Sequence, residues 1–586
     1  MSALKFPHPR SGLGAAAMCL ALAGCTHPLE RTAQEELRES LLASHRAYLQ
    51  SVADAGVIQI QRDPSEVEQR LSSERIEQLD QISGVQAYEE EPLQLGSDLL
   101  GRTGAQAVEL SLRRAVELAM EHNLDVAVAR LNPAIAATQL VQAQAVFDAV
   151  FFTTADWTKL DTPQPGGTIP GLASNRQSEL LELRTGIRQP LITGGEASIS
   201  TGLIRDERQP SVFAVDRFYQ ADVLLSLRQP LLRSFGADVN RAEIFLAQNA
   251  REAQAQDLRR QLIETAFFVE EAYWQLVLAR QQLLIQQRLL ERTIEDYRRL
   301  EQRAAYDVTR VRLTEAASFV ELRRSEVIRA RQQVRLASDR LKQLINAPDL
   351  PVSEETLILP VDKPTDASIR FSLLDAVSTA LRQRPELQVA LLNIDDASIR
   401  QRVADNARLP ILDLVASVGF NGLSTDGPGE AYDRLGDLDF IDYLLSAQFE
   451  APIGNRAAEA LYEQRQLERR QAATAYRQAA QAVVLEVKNA MRDVLTSYEL
   501  IGATRAARRA AAENLRALEV QEEAGVALTP EFLLDLKLNA QQRLADAETQ
   551  EVQALTQYMT SIAQLYQAMG TLLEQNNIVF RDEPRH

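Results

Sequence analysis

The sequence predicts a mixed α/β chain, mainly helical, in which one order of elements occurs twice: a helix, then strands, then a long helical region. Three observations support this prediction. Segments of the first half recur in the second half, apolar and polar residues alternate over several short stretches, and two long regions contain almost no Gly or Pro. Period-two alternation is typical of strands with one apolar face, and regions without helix breakers are typical of helices.

The composition limits the classes of protein to which the chain can belong. It has 586 residues, a net charge of −18, and 45% hydrophobic and 25% charged residues, which is the balance of a folded chain. The acidic charge argues against a nucleic-acid partner, because such a partner needs a basic surface. After the N-terminus, no apolar stretch reaches the length of about 20 residues that a membrane-spanning helix needs. With two Cys and five scattered His, neither a disulfide framework nor a metal site is indicated.

Residues 1–24 are predicted to be a signal peptide of the lipoprotein type. Two basic residues precede an apolar stretch that is too short to span a membrane. The segment ends in Leu22-Ala23-Gly24-Cys25, which resembles the lipobox of bacterial lipoproteins. That resemblance implies cleavage before Cys25 and acylation of this residue, which anchors a protein stably in a membrane. The alternative is an ordinary secretory signal that happens to carry a Cys.

Segments of the first half recur in order in the second half. The segment that begins at Ser111 matches the segment that begins at Ser372, 261 residues further on. In each half, a later alternating stretch leads to a Pro and then to Asn-Arg-Ala. We interpret the ordered matches as an internal duplication. The predicted organisation is a signal peptide (1–24), an N-terminal extension (25–107), repeat 1 (108–369), repeat 2 (370–575) and a C-terminal tail (576–586).

Each repeat is predicted to begin with a helix and to continue with two strands, which makes four strands per chain. Ser111 and Ser372 are suited to cap the two helices, because a Ser side chain accepts hydrogen bonds from the first turn. Apolar and polar residues alternate over 219–228, 412–420 and 442–451. This pattern fits a sheet with one apolar and one polar face, whether in a membrane or in a soluble sandwich.

The first half carries an additional hairpin-like stretch at 181–204. Its turn is predicted at Thr193-Gly194-Gly195-Glu196, and Arg188-Gln189-Pro190-Leu191 is repeated as Arg228-Gln229-Pro230-Leu231, which indicates a local duplication. The sequence leaves open whether this hairpin extends a loop or adds to the sheet.

The regions 240–345 and 455–573 are predicted to be long helical hairpins that turn near 304–309 and 525–530. Apolar residues recur every seven positions in the first region, which predicts supercoiled packing; they are Leu262, Val269, Leu276, Leu283 and Leu290. The same stripes would fit the arms of any coiled coil.

Four amphipathic strands cannot close a membrane barrel, which needs about eight, whereas three copies would supply twelve. The doubled order of elements resembles the TolC-like outer membrane efflux protein family over about 106–573. The phrases that carry the resemblance are Leu112-Arg113-Arg114-Ala115-Val116-Glu117-Leu118-Ala119, Ala272-Tyr273-Trp274, Gln229-Pro230-Leu231-Leu232-Arg233-Ser234-Phe235-Gly236 and Ala451-Pro452-Ile453-Gly454-Asn455-Arg456.

The resemblance implies a homotrimer in the outer membrane of a Gram-negative bacterium. A 12-stranded transmembrane β-barrel would continue into a long periplasmic α-helical coiled-coil barrel, with Cys25 anchored in the outer membrane lipid. Such a trimer is a passive exit duct of a tripartite efflux or type I secretion system, and its partners are a periplasmic adaptor and an inner-membrane transporter. The N-terminal extension, helical in part over 31–51, is expected around the waist of the tube. No catalytic grouping or cofactor motif is present, so an enzyme is not indicated.

The resemblance also points to the helical turns at the periplasmic end. The second turn contains a Gly, as in the family, and its candidates for adaptor contact are Gly525, Val526, Leu528 and Thr529; the first turn has no Gly and departs from the family pattern. Glu531 and Asp535 are four residues apart and therefore share one helix face. In three copies they would form an acidic gate that favours cations, although a solvated helix face would look the same.

A second hypothesis belongs to another class of protein. It is a lipid-anchored periplasmic coiled-coil scaffold without a pore, in which the strands form a small soluble sheet. Within the duct hypothesis, the sequence does not distinguish drug, metal and protein export.

Overall fold

Helices make up most of the chain in the computed structural model, which describes residues 50, 57–59, 64–88, 93–97, 99, 107–163, 175–208, 216–303, 309–524 and 530–578. The helices are α1 Glu66–Arg70, α2 Ser73–Ser83, α3 Leu112–His122, α4 Leu124–Gln144, α5 Ala237–Asn240, α6 Ala242–Arg303, α7 Arg310–Ile345, α8 Leu373–Gln383, α9 Pro385–Ala407, α10 Pro428–Asp433, α11 Arg456–Glu523, α12 Pro530–Met569 and α13 Leu572–Gln575. Within the described ranges, none of these helices combines the length and the apolar character that crossing a membrane requires.

The strands alternate with these helices along the chain. They are β1 Val57–Gln59, β2 Ala107–Leu110, β3 Val150–Pro163, β4 Asn175–Pro190, β5 Glu196–Arg208, β6 Arg217–Pro230, β7 Leu357–Pro360, β8 Arg370–Ser372, β9 Ile411–Ser424 and β10 Ile441–Glu450. The prediction of a mainly helical chain with strands in both halves is confirmed.

The chain folds into two compact units. The sheet unit contains the described residues of Ile135–Arg251 and Leu391–Ala475, and the helical unit contains those of Ala43–Ala134, Glu252–Ala390 and Tyr476–His586. Both units therefore draw on both predicted repeats.

The sheet unit is built on one antiparallel sheet with the strand order β10-β9-β6-β5-β4-β3. The register pairs Val150 of β3 with Arg188 of β4, and Tyr219 of β6 with Ser424 of β9. The alternating stretches predicted to be strands lie in β6, β9 and β10, so those strand predictions are confirmed.

The prediction of four strands per chain is wrong, because the described residues place six strands in this sheet. The additional hairpin of the first half forms β4 and β5, which lie between β3 and β6 and pair with their neighbours over nearly their full length. Its turn is confirmed: the Leu191 N–H donates to the Gly195 carbonyl at 2.8 Å. Gly194 has φ +90° there, and a Cβ would lie 2.1 Å from the Ser234 carbonyl oxygen. The hairpin therefore adds to the sheet, and the expected total of twelve strands in three copies rested on the wrong number.

The helices that open the two repeats have equivalent bounds. Ser111 and Ser372 cap α3 and α8 as predicted, with the hydroxyl oxygens accepting from the Arg114 N–H (3.4 Å) and the Asp375 N–H (3.2 Å). The buried residues are equivalent as well; they are Ala115, Val116, Ala119 and Met120 in α3 and Ala376, Val377, Ala380 and Leu381 in α8. A duplication would produce this match, and the duplication itself stays a prediction.

The long helical regions form α6 with α7 and α11 with α12. Their arms are unequal, with 62 and 36 residues in the first pair and 68 and 40 in the second. The predicted heptad stripe of α6 packs in one core with residues of α7 that are also seven apart; the α7 residues are Val327, Val334 and Leu341. Both turns, at 304–308 and 525–529, lie outside the described residues.

The described part of the N-terminal extension packs within the helical unit. β1 pairs antiparallel with β8, and β2 pairs parallel with β7. Leu79 of α2 is buried against Leu515 of α11 and Leu544 of α12. The helix predicted over 31–51 lies outside the described residues, apart from residue 50.

Candidate functional site

The sheet has one apolar face that continues across all six strands. Directly paired residues of antiparallel strands point to the same side of the sheet, so the register identifies each face. One apolar row runs unbroken from edge to edge: Phe151, Ile187, Ile199, Leu225, Val418 and Tyr443. Apart from Val418, these side chains are between 42% and 77% exposed. A chain in water would bury such a row, so this face calls for an apolar surrounding.

The opposite face is polar and carries ion pairs between strands. Arg184 of β4, Gly202 of β5 and Asp222 of β6 lie in one row. The Arg184 guanidinium donates to both carboxylate oxygens of Asp222, at 3.1 and 3.3 Å, and so passes over β5. A Cβ at Gly202 would lie 2.4 Å from Asp222 Oδ1. Gly202 therefore leaves the space through which this ion pair forms.

A second ion pair on the polar face joins the two halves of the chain. Arg228 of β6 donates from Nε to Oδ2 of Asp413 in β9 at 3.1 Å, and Asp413 is 5% exposed. Sequence alternation predicted the polar face, but not these partners, because the two residues are 185 positions apart. A face with paired charges of both signs can line an aqueous space.

The short helix α10, between β9 and β10, covers one end of the apolar face. Ala431 is fully buried, and its carbonyl oxygen would lie 2.1 Å from a Cβ at Gly422. The Tyr432 hydroxyl lies 3.2 Å from Thr201 Oγ1. The exposed apolar band is therefore limited to the part of the sheet that α10 does not cover.

Most of the site residues predicted from the sequence lie outside the described residues. These are Cys25 with Leu22, Ala23 and Gly24, and the tip candidates Gly525, Val526, Leu528 and Thr529. Glu531 belongs to α12, but the structure does not describe its side chain. Asp535 is described: Arg312 of α7 donates from Nη1 to its Oδ2 at 3.2 Å, and its side chain is 40% exposed. The roles of all these residues stay predictions.

A buried ionic cluster links three helices in the helical unit. Lys537 of α12 donates to Asp296 of α6 at 2.8 Å and to Glu522 of α11 at 3.0 Å, and Gln541 donates to the other oxygen of Asp296 at 2.7 Å. The side chains of Lys537 and Asp296 are 6% and 7% exposed. Burial lowers the pKa of Lys537, but the two carboxylates outweigh burial and raise it, so this ammonium stays charged.

A second buried cluster holds the N-terminal extension against α11 and α12. Arg508 is 2% exposed and donates to Asp80 at 2.6 Å, to Ser83 Oγ at 2.9 Å, and to Glu551. Arg509 also donates to Asp80, at 2.5 and 3.0 Å. Burial raises the pKa of Asp80, but the hydrogen bonds from the two guanidinium groups lower it overall. No periodicity of the sequence could have found this cluster, because Asp80 and Arg508 are 428 residues apart.

Glu548 of α12 is the most strongly perturbed carboxyl group near this cluster. It is 4% exposed, and burial raises its pKa to about 7, against the opposing effects of Tyr88, Arg292 and Arg508. Among the described residues, no group of three or more His, Cys, Asp or Glu could hold a metal ion.

The fold of the chain is that of outer membrane channels of solved structure. It is similar to the CmeC outer membrane channel of Campylobacter jejuni (17% identity, 82% of this chain and 92% of that chain, TM-score 0.57). It is also similar to the open state of the MtrE outer membrane channel of Neisseria gonorrhoeae (18%, 88% and 99%, TM-score 0.54) and to the outer membrane protein VceC of Vibrio cholerae (15%, 78% and 96%, TM-score 0.55). CmeC and MtrE are channels rather than enzymes.

Residues 376–571 of the chain match the outer membrane efflux protein family. The resemblance to TolC-like outer membrane channels, predicted from the doubled order of elements, is thereby confirmed. Comparison with curated proteins finds no match.

Proposed function

We propose that three copies of the chain form the outer membrane exit duct of a tripartite efflux or type I secretion system. The duct conducts passively, because the sequence has no nucleotide-binding motif, and an inner-membrane transporter supplies the energy through a periplasmic adaptor. The outer membrane of a Gram-negative bacterium is the proposed location, with Cys25 as the lipid anchor.

The apolar row across the six strands is the observation that carries this proposal. A face that is apolar from edge to edge and opposite to a face with ion pairs fits a wall between lipid and water. The apolar side chains would face the acyl chains, while the Arg184–Asp222 and Arg228–Asp413 pairs would line the pore. Strand edges in lipid need partners, so more than one copy is required.

The helical unit would form the periplasmic part of the duct. Its long helices pack through heptad stripes, and the Lys537 and Arg508 clusters join helices that are distant in sequence. We further propose that Gly525, Val526, Leu528 and Thr529 contact the adaptor, and that Glu531 and Asp535 line the closed end. The ion pair between Arg312 and Asp535 would then belong to the gate, where it partly neutralises the acidic ring.

Native mass and conductance of the detergent-extracted protein test this proposal. A complex of three mature chains that conducts ions in a planar bilayer is expected. A stable monomer would contradict the duct. So would a trimer that does not conduct even after the candidate gate residues Glu531 and Asp535 have been replaced by Ala.

The scaffold hypothesis receives no support from the sheet, because a soluble sheet would have to cover the exposed apolar row. A Cys25→Ser chain separates the two functions. The duct predicts that this variant remains in the outer membrane through its strands, whereas a scaffold held by lipid alone would be released.

A further inference from the structure

The sheet of the described residues has two open edges, β3 and β10. Each is paired with one neighbour only, β4 and β9 respectively. The edges are long, since β3 has 14 residues and β10 has 10. The outward N–H and C=O groups of such strands need partners wherever water is absent.

Both edges also present large apolar side chains. Phe151 and Trp157 of β3 are 71% and 64% exposed, and Tyr443, Leu445 and Phe449 of β10 are 77%, 76% and 64% exposed. Soluble proteins usually protect their edges with charges, bulges or covering elements, and a long apolar edge recruits another strand. Of the charged residues in the middle of β3, Asp156 lies on the polar face, and Lys159 is the charge nearest to Trp157 on the apolar face.

The two edges are complementary to each other. All neighbours in the sheet are antiparallel, so in a sheet of six strands the first and the last run in opposite directions. If β3 of one copy lies beside β10 of the next, the pair is antiparallel again. The register also places Phe151 and Tyr443 on the same face. The apolar row would then continue from one copy into the next without interruption.

We infer that β3 of each copy pairs with β10 of the next copy, and that the three copies close an 18-stranded barrel. The pairing of edges comes from the sheet, and the number of copies rests on the proposed function. The β4–β5 hairpin makes the difference, because without it three copies would have twelve strands. Barrel diameter grows roughly in proportion to strand number, so the pore would be about 1.5 times as wide as a 12-stranded one, and its cross-section about twice as large.

Disulfide trapping tests the pairing of edges. Thr153→Cys on β3 is combined in turn with Leu445→Cys, Ala447→Cys and Phe449→Cys on β10, all on the apolar face, so that the series covers several registers. At least one pair should give covalently linked species of two and three chains on a non-reducing denaturing gel. The matched control combines Thr153→Cys with Ala416→Cys in β9, which is flanked on both sides by other strands and should not react. If no pair of the series links the chains of a three-chain complex, the inference is wrong.

Strand counting tests the size of the barrel. Imaging of the detergent-extracted trimer should show eighteen strands, and twelve strands with the β4–β5 hairpin outside the ring would overturn the inference. A chain that lacks residues 175–208 should close a 12-stranded ring, because β3 and β6 remain antiparallel with matching faces. When Glu531 and Asp535 are replaced by Ala in both chains, the conductance of the shortened chain should be about half that of the full-length chain. A conducting trimer with twelve strands in the full chain would overturn this inference alone, whereas a monomer or a non-conducting trimer would overturn the proposed function.

Discussion

Charged side chains occupy different positions in the two units of the molecule. In the sheet unit, pairs such as Arg184 with Asp222 lie on one polar face and run between strands. In the helical unit, Lys537 and Arg508 are buried among helices and bind two or more partners each. The same residue types therefore serve a surface in one unit and a core in the other.

This difference has an energetic consequence. Removing one member of a buried ion pair leaves a charge without water or partner, whereas a pair at a wetted surface contributes little. Substitutions of buried charges in the helical unit should therefore act mainly on stability. In the proposed duct, substitutions on the polar face and of the exposed charges at the helical tips should act mainly on conduction.

The largest effect is expected from Arg508→Met. The substitution removes the hydrogen bonds to Asp80, Ser83 and Glu551 and should lower the free energy of unfolding by about 3–5 kcal/mol, towards the lower value because Arg505 and Arg509 remain beside the carboxylates. Denaturant unfolding, followed by the far-UV circular dichroism of the helices, measures this free energy. Arg516→Met on the same helix is the control, since its pair with Glu513 is about one third exposed and should contribute at most about 0.5 kcal/mol. Equal effects of the two variants would contradict the difference between buried and surface charges.

The next largest effect is expected from Glu548→Gln, and it depends on pH. The pKa of Glu548 in the folded chain is about 7, above the usual value of 4.5 for a Glu side chain, so the folded state binds the proton more tightly than the unfolded state does. Its contribution to stability is therefore present below about pH 4.5 and is lost as pH rises to 7. At pH 8 the Gln variant should be more stable than the parent by up to about 3 kcal/mol, since one pKa unit corresponds to about 1.4 kcal/mol. At pH 4.5 the two should unfold at nearly the same denaturant concentration. A difference that stays constant between these pH values would contradict the raised pKa.

A smaller effect is expected from Gly202→Ala in the sheet unit. The added methyl group would meet Asp222 Oδ1 at 2.4 Å, so the Arg184–Asp222 pair would have to separate at a cost of about 1–3 kcal/mol. The thermal midpoint should fall, and in the proposed duct the conductance should change because the freed charges would line the pore. Gly429→Ala is the matched control, since a Cβ there meets no atom within 4 Å. If both variants behave like the parent, Gly202 is not needed for the ion pair.

The parts of the fold that were predicted correctly are those whose sequence pattern is local or periodic. Ser111 and Ser372 stand directly before their helices, and the heptad stripe that includes Leu276 repeats within one element. The position of β3 was not predicted, because Phe151-Phe152 and Thr153-Thr154 interrupt the alternation of its sequence.

Long-range pairing could not be predicted at all. The turn at Gly194 marks a hairpin, but only its register with β3 and β6 makes it part of the sheet. Asp80, Arg508 and Glu551 come from three distant segments, and an acidic or basic residue in a helix looks like a solvated one until its partners are known. The sequence therefore indicated the class of protein, while strand number and buried charges depend on contacts between distant residues.

The smallest effect on stability is expected at the helical tips. Asp535 is 40% exposed, so Asp535→Ala should change the free energy of unfolding by less than about 1 kcal/mol. In the proposed duct, however, the double variant Glu531→Ala with Asp535→Ala should raise the leak conductance in a bilayer. Arg312→Ala distinguishes two causes: if the ion pair holds α7 to α12, Arg312→Ala and Asp535→Ala raise the leak equally, and if the negative charge itself forms the barrier, Asp535→Ala alone does so. A double variant that leaks no more than the parent would show that these carboxylates do not form the gate, because neither the charge nor the ion pair would then restrict the pore.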